Sequence, residues 1–487
     1  MEEKEFKNLE DLKNNRVFYH FLEISKIPHK SFEEKKLSDY IKTWAENLNL
    51  EVSQDKLNNL LIRKNASSGR ENEPAVIVQA HLDMVCEKDP NYEHDFSSDA
   101  IPVELNGDIL STGNKTTLGA DDGIGVALAM ALLEDNSLSH PPLDIIFTTA
   151  EEEDLSGAIG VDKSWFRTNQ VINIDHIAED EIVMGSCGGK GVELTIPVSY
   201  EEIQKGKHFY ELKVTGLLGG HSGEDIDKGL GNAIVILGRL LDELRLKISF
   251  NLCKIEGGNF RLAIPRESSA LVAIDFSEEE IFYNIVESFN KSFSSVYKST
   301  AKDFKIEVST SSELKNAFSS DSQNKVIDAI LLSPNGVNDF LADLQVVESS
   351  CNLGELHTNE DNVKLVTEIR ATFEENREFI YRKIELLAKI LGANIEDFAA
   401  YPSWNFKPNS KMSNVLRDSH KSLYGEDMKI LVVHAGLECG CFAPKIPNMD
   451  AISIGPNAQG LHSPFEKLSV SSTLKVHQLL IEFLKNI

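Results

Sequence analysis

Along the first fifty residues apolar positions recur at helical spacing, in VFYHFLEISKI and FEEKKLSDYIKTWAENL, which predicts surface helices around a core. From about residue 75 the rhythm changes. Short, wholly apolar, β-branched runs (PAVIVQA, LDIIFTTA, VINID) alternate with helical stretches such as GIGVALAMALLED. Uninterrupted apolar strands alternating with helices predict a parallel sheet covered on both faces. After VMGSCGGKG the pattern becomes VELTIPV, HFYELKVTG, the long apolar helix NAIVILGRLLDELR, SALVAIDF and VKLVTEIRATF. Strands that follow one another without a crossover, with helices packed on one face, describe an antiparallel α+β unit. KILVVHAG, DAISIGP and the helix TLKVHQLLIEFLKN then restore α/β character. The expected fold class is therefore α/β, with a mainly parallel central sheet flanked by helices and interrupted by an inserted α+β domain. The expected division is 1–187 and 400–487 for the first domain and 188–399 for the insert.

Charge narrows the partners. The 487 residues hold 49 Lys+Arg against 77 Asp+Glu, a formal net charge of −28. This predicts no nucleic-acid partner and no membrane partner, because nucleic acids and anionic membranes both need a clustered positive excess. The N-terminus, MEEKEFKNLEDLKNN, lacks the basic and apolar regions of a secretory signal. The most apolar run, GIGVALAMALL, is far shorter than the ~20 residues of a membrane span. Six cysteines without a CxxC pair read as reduced thiols, so a cytoplasmic location is expected.

The chemistry lies where acids and imidazoles follow the apolar strands. In VIVQAHLDMV the strand runs into His81 and Asp83, two residues apart and so on one side of an extended chain. LDIIFTTA ends in Glu151, Glu152 and Glu153; VINID ends in Asp175; LGADDG puts Asp121 and Asp122 before an apolar helix. Ligands of open α/β sheets bind outside the carboxyl ends of the strands. So many carboxylates on one rim repel each other unless one or two divalent cations compensate them. Mixed His and carboxylate ligands suit zinc, and also manganese or cobalt, better than calcium. Taken singly, Asp122 also fits a helix cap, Asp175 a turn and Glu153 a solvated charge; their joint occurrence favours the metal. A glutamate directly before a ligating glutamate suggests a division of labour, one carboxylate holding metal while its neighbour takes a proton from metal-bound water. Two metals bridged by a carboxylate and a hydroxide would polarise a scissile carbonyl, which is the chemistry of amide hydrolysis.

The strings QAHLDMV, TLGADDGIG, TTAEEEDLSGA, INIDH, LLGGHSGEDI, GNFRLAIPRE, HAGLECG and GPNAQGLHSPFEKLSV together resemble the aminoacyl-histidine (cytosolic non-specific) dipeptidases. These are a branch of the dinuclear zinc peptidases that includes carnosinases, tripeptidases and carboxypeptidase G. The resemblance runs in consistent order from about residue 20 to the C-terminus. It implies a metallopeptidase catalytic domain, a lid or dimerisation insert, two divalent cations per chain (Zn2+ foremost, Mn2+ or Co2+ otherwise), a small dipeptide substrate and a homodimer.

Carried over by motif, Asp121 would bridge both metals. His81 and Asp175 would hold one, Glu152 and His462 the other. Asp83 would orient His81, and Glu151 would be the general base. Three consecutive glutamates leave the pair Glu152 and Glu153 as the other register. His221 on its glycine-rich loop would stabilise the oxyanion across a dimer. Asn259 would contact the oxyanion or the substrate backbone, and Arg370 the substrate's terminal carboxylate. NFRL departs here from the family's usual string. For His434 and Glu438, contact with substrate and bracing of the loop weigh equally. The implied reaction is hydrolysis of unblocked dipeptides, including Xaa-His. An N-acyl amino-acid deacylase on the same core is the alternative, and an inactive metal-binding scaffold a further one.

Overall fold

The computed structural model describes residues 6–342 and 344–487. Residues 1–5, which open the N-terminal stretch read for a leader, and residue 343 lie outside the described residues. The chain forms two compact units. One comprises Met1–Ser186, Trp404–Val432 and Leu437–Ile487; the other comprises Cys187–Ser403 with Val433–Gly436.

The first unit is built on an eight-stranded sheet in the order Glu51–Gln54, Leu60–Lys64, Leu143–Thr148, Val76–His81, Gln170–Asn173, Asp450–Ser453, Glu181–Ser186, Lys429–Val433. Its four middle strands, Leu143–Thr148 through Asp450–Ser453, run parallel. All four are buried at every position, as expected of strands covered on both faces. The expected fold class, with its parallel-rich centre and flanking helices, is found. Helices Arg16–Ile24, Ala120–Glu134, Lys411–Tyr424 and Val470–Asn486 supply the packing layers of this core. Among the described residues, no helix is long and apolar enough to cross a membrane.

Helix Ala120–Glu134 is apolar on all sides and buried almost throughout, so it is a core helix rather than an amphipathic one. Its first turn is irregular. Gly119 at φ +70° precedes it, Asp121 and Asp122 depart from helical angles, and the peptide bond between them is cis. The glycine at 125 reflects close approach: a Cβ there would meet the Ile174 carbonyl oxygen, just before Asp175, and the Asp122 carboxylate.

The second unit is an α+β assembly. Its sheet follows the order Lys305–Thr310, Lys207–Thr215, Ser268–Asp275, Phe250–Gly257, Val346–Thr358, Asn362–Ala371, Gly188–Pro197, Asn394–Tyr401, with Gly336–Leu341 added beside Val346–Thr358. All these pairings are antiparallel. Helices Ala233–Arg245, Glu279–Val296, Ser320–Leu332 and Glu374–Leu391 bury apolar faces in its core.

Helix propensity favours Ala over Gly at position 125 by up to about 1 kcal/mol. Overpacking against a fixed carbonyl costs about 1–3 kcal/mol and wins. Gly125→Ala is therefore expected to lower the urea midpoint of unfolding; an unchanged or raised midpoint would show that the helix can move away from Ile174.

Candidate active site

The carboxyl ends of the parallel strands gather the acids in the first unit. His81 ends its strand and is buried; its Nε2 lies 3.1 Å from Asp121 Oδ1 and 3.6 Å from Asp175 Oδ1. The other oxygen of Asp121, Oδ2, lies 3.4 Å from Nε2 of His462, which is itself 3.0 Å from Glu152 Oε2. One carboxylate thus faces two imidazoles, one with each oxygen. Three overlapping groups of donor atoms follow: His81, Asp121 and Asp175; Asp121, Glu152 and His462; His81, Glu151 and Glu152. Imidazole nitrogen with carboxylate oxygen is a donor set fitted to zinc, manganese or cobalt. Glu153 is exposed and belongs to none of these groups.

The glutamates do not end the strand, as the sequence suggested. The strand stops at Thr148, Ala150 takes a left-handed conformation at φ +53°, and Glu151–Asp154 form one helical turn. Asp83 holds that turn in place. Its Oδ1 and Oδ2 accept the backbone N–H of Glu151 (3.0 Å) and Glu152 (3.1 Å), and Ser31 Oγ donates to Oδ2 at 2.8 Å. Asp83 Oδ1 is also 3.4 Å from His81 Nδ1, which lies 3.0 Å from the Asp83 carbonyl oxygen. The Nδ1 side is thus committed to Asp83, and Nε2 faces the acids. Glu34, buried, accepts the N–H of Ala150 at 2.9 Å. Asp122 is buried and is no surface cap: its Oδ2 accepts the N–H of His81 at 3.0 Å.

The electrostatics match the crowding. Burial alone would lower His81, but Asp175, Asp121 and Asp83 together raise it well above the ordinary imidazole range. Burial opposes ionisation of Asp121, yet hydrogen bonds from His462 and His81 hold its carboxyl below the usual range. Asp175 is pushed up to about 7 by burial, with His81 opposing and Asp121 adding to the rise. Burial likewise raises Glu151, opposed by His81 and reinforced by Asp175, Glu152 and Glu438. His462 is raised to about 11 by its bonds to Asp121 and Glu152.

A buried polar chain joins the strand ends. Asn173 Nδ2 donates to Gln79 Oε1 at 2.7 Å, and Ser453 Oγ donates to Asn173 Oδ1. Gln79 Nε2 in turn donates to Thr148 Oγ1 at 3.1 Å and to Glu438. Glu438 also accepts from Thr148 Oγ1 at 2.9 Å, and burial raises its carboxyl to about 7. Between the two roles weighed for Glu438, these bonds are those of a brace. Sequence reasoning passed over Gln79 and Asn173 because a lone polar residue in an apolar strand carries no spacing signal, and Glu34 because it stands among charged residues just before a helix.

The second unit holds the remaining candidates. His221 and Asn259 line the same cavity, of about 780 Å3, with Arg266, His357 and the 218–221 loop. His221 Nδ1 accepts the N–H of Glu224 at 3.1 Å, which leaves the proton on Nε2. Burial first, and then the Arg370 charge, lower its pKa, so the ring is neutral. Arg370 is 3% exposed; Nη1 donates to Tyr401 Oη at 2.7 Å and Nη2 to Ser222 Oγ at 3.3 Å, while Nε is buried without a partner. His434 Nε2 lies 2.7 Å from Ser350 Oγ, and burial with the Arg370 charge lowers it to about 3.

Residues 77–486 match the Peptidase family M20/M25/M40. The chain belongs to that family. It is 35% identical over 469 residues, 96% of each chain, to the cytosol non-specific dipeptidase of Escherichia coli (strain K12). Among solved structures it resembles the aminoacylhistidine dipeptidase of Vibrio alginolyticus, with a TM-score of 0.90 and 33% identity over 97% of this chain and 96% of that one. The aminopeptidase PepT of Bacillus cereus shares the fold, with a TM-score of 0.57 at 15% identity over 97% and 98% of the two chains. The family resemblance read from the motifs is thus the one these comparisons find. As a member of the M20 family this protein is a hydrolase.

Asp83→Ala would leave the N–H groups of Glu151 and Glu152 without acceptors. Each buried orphan costs about 1–3 kcal/mol, so metal-free protein is expected to lose at least about 1 kcal/mol in urea unfolding. No loss would mean that the glutamate turn is held by other groups.

Proposed function

We propose that this protein is a dinuclear metal-dependent dipeptidase that hydrolyses the peptide bond of unblocked dipeptides, Xaa-His among them. The observation that carries this reading is the placement of Asp121, one oxygen facing His81 and the other facing His462. His81 and Asp175 complete one cation position, Glu152 and His462 the other. The names of the Escherichia coli and Vibrio relatives, a dipeptidase and an aminoacylhistidine dipeptidase, support the substrate class.

Two divalent cations, most simply Zn2+ with Mn2+ or Co2+ as alternatives, supply Lewis acidity toward the scissile carbonyl and the attacking water when bound. The chain's own residues do the rest. Glu151, beside the ligand Glu152 on the same turn, takes the proton of the attacking water and returns it to the leaving amine. Asp83 sets the tautomer of His81 through Nδ1 and holds the glutamate turn by its backbone. His221, neutral with Nε2–H available, donates to the tetrahedral oxyanion, in cis or from the partner of a homodimer. Asn259 contacts the oxyanion or the substrate backbone, and Arg370 receives the terminal carboxylate. Residues 188–399 serve as lid or dimerisation domain, and the enzyme works in the cytoplasm.

Chelator-treated protein is expected to cleave a free Xaa-His dipeptide only after zinc, manganese or cobalt is restored, and to leave the N-acetylated peptide intact. Cleavage of the acetylated compound alone would transfer the assignment to a deacylase; no cleavage of either, with metal bound, would point to a scaffold.

Glu151→Gln is expected to keep metal content near normal while lowering kcat by about 10²- to 10⁴-fold. Wild-type turnover would move the proton-transfer role to another glutamate of the 151–153 run.

A further inference from the structure

Glu466 is 2% exposed and belongs to none of the groups of donor atoms, yet its carboxylate accepts a dense set of backbone N–H groups beside them. Its Oε2 accepts the N–H of Leu118 at 2.6 Å and of Gly119 at 3.0 Å; its Oε1 accepts the N–H of Ala120 at 2.8 Å and of Asp121 at 3.3 Å. Four consecutive amides converge because Gly119, at φ +70°, curls the chain just before helix Ala120–Glu134. The positive end of that helix adds to the attraction.

The carboxylate comes from the segment that carries His462. That loop is tightly folded: Ser463 Oγ donates to the Gly460 carbonyl at 2.6 Å, and Glu466 N donates to the Ser463 carbonyl at 3.2 Å. Immediately after it, Lys467–Ser469 pairs with Ile109–Ser111. One side chain therefore ties the loop bearing Asp121 to the loop bearing His462, whose facing atoms are 3.4 Å apart.

We propose that Glu466 is a positioning residue of the metal centre, a carboxylate that sets the separation of Asp121 and His462 through the backbone of residues 118–121. The inference rests on the dinuclear reading above, in which both residues are ligands. It explains why the position needs glutamate. A glutamine would turn an NH2 group toward two N–H donors, and an aspartate is one methylene short of reaching four amides with both oxygens.

The test is a titration of metal-free full-length protein with Co2+, followed by visible absorption and equilibrium dialysis, for wild type and Glu466→Gln. Wild type is expected to take up two equivalents. The variant is expected to bind the one held by Asp121, Glu152 and His462 about 10- to 100-fold more weakly, as loss of a partner that orients ligands typically does. Excess Co2+ should restore its kcat with KM little changed, a recovery that general loss of folding would not show. Two equivalents bound at wild-type affinity would overturn the proposal. If Glu466→Gln fails to fold, Glu466→Asp undergoes the same titration under the same criterion. Fewer than two equivalents on wild type would instead overturn the dinuclear reading, and this inference with it.

Discussion

The constraint that organises the first unit is the repulsion among Asp121, Asp122, Glu151, Glu152 and Asp175, all brought to one rim of one sheet. Two like charges 4 Å apart repel by about 4 kcal/mol at an effective dielectric constant of 20. A hydrogen bond to a charged group returns about 1.5–3 kcal/mol. Protein donors alone therefore offset only part of the repulsion. His81 and His462, both raised far above the ordinary imidazole range, show how strongly the rim draws positive charge. Divalent cations answer that demand more fully than two protons do.

Ligands on loops would ordinarily be imprecise, since connecting segments move more than the strands they join. Here carboxylates that accept backbone N–H groups fix several of these positions: Asp83 for Glu151 and Glu152, Glu34 for Ala150, Asp122 for His81 at its strand end, and Glu466 for residues 118–121. Beneath them, Gln79, Asn173, Ser453 and Glu438 lock three neighbouring strand ends and Thr148 into one polar network. Acids thus occur in two chemical settings. Some face one another and the imidazoles; others face amides and keep the first set in place.

The acids that face one another were legible in the sequence because they follow apolar strands or open an apolar helix, and such positions have a pattern. The switch from parallel α/β to antiparallel α+β was legible for the same reason, through the loss of helices between strands. Of the supporting acids, Asp83 stands out beside His81, but Glu34 and Glu466 were not legible. Glu466 lies in the quoted GLHSPFEKLSV string, but its partners are amides as many as 348 residues away, which no local spacing encodes. The helical turn at Glu151–Asp154 escaped notice because the left-handed residue that starts it is Ala150, a residue type that does not advertise positive φ. Asp122 read equally well as a helix cap, and only its bond to the His81 amide shows otherwise.

The second unit handles charge in the opposite way. It buries a permanent cation, Arg370, which donates to the neutral Tyr401 and Ser222, has the buried Glu368 carboxylate in its field and acts on His221 and His434. Protonating either histidine would set a second positive charge near a buried guanidinium, so both rings stay neutral. The consequence for His221 is specific. With Nδ1 occupied by the Glu224 amide, the neutral ring has one proton, on Nε2, and Arg370 keeps a second from joining it. A neutral N–H donor holds its proton while negative charge develops on an acceptor and can release that acceptor when the charge is gone. An imidazolium at the same place would hold the charge more tightly and release it more slowly.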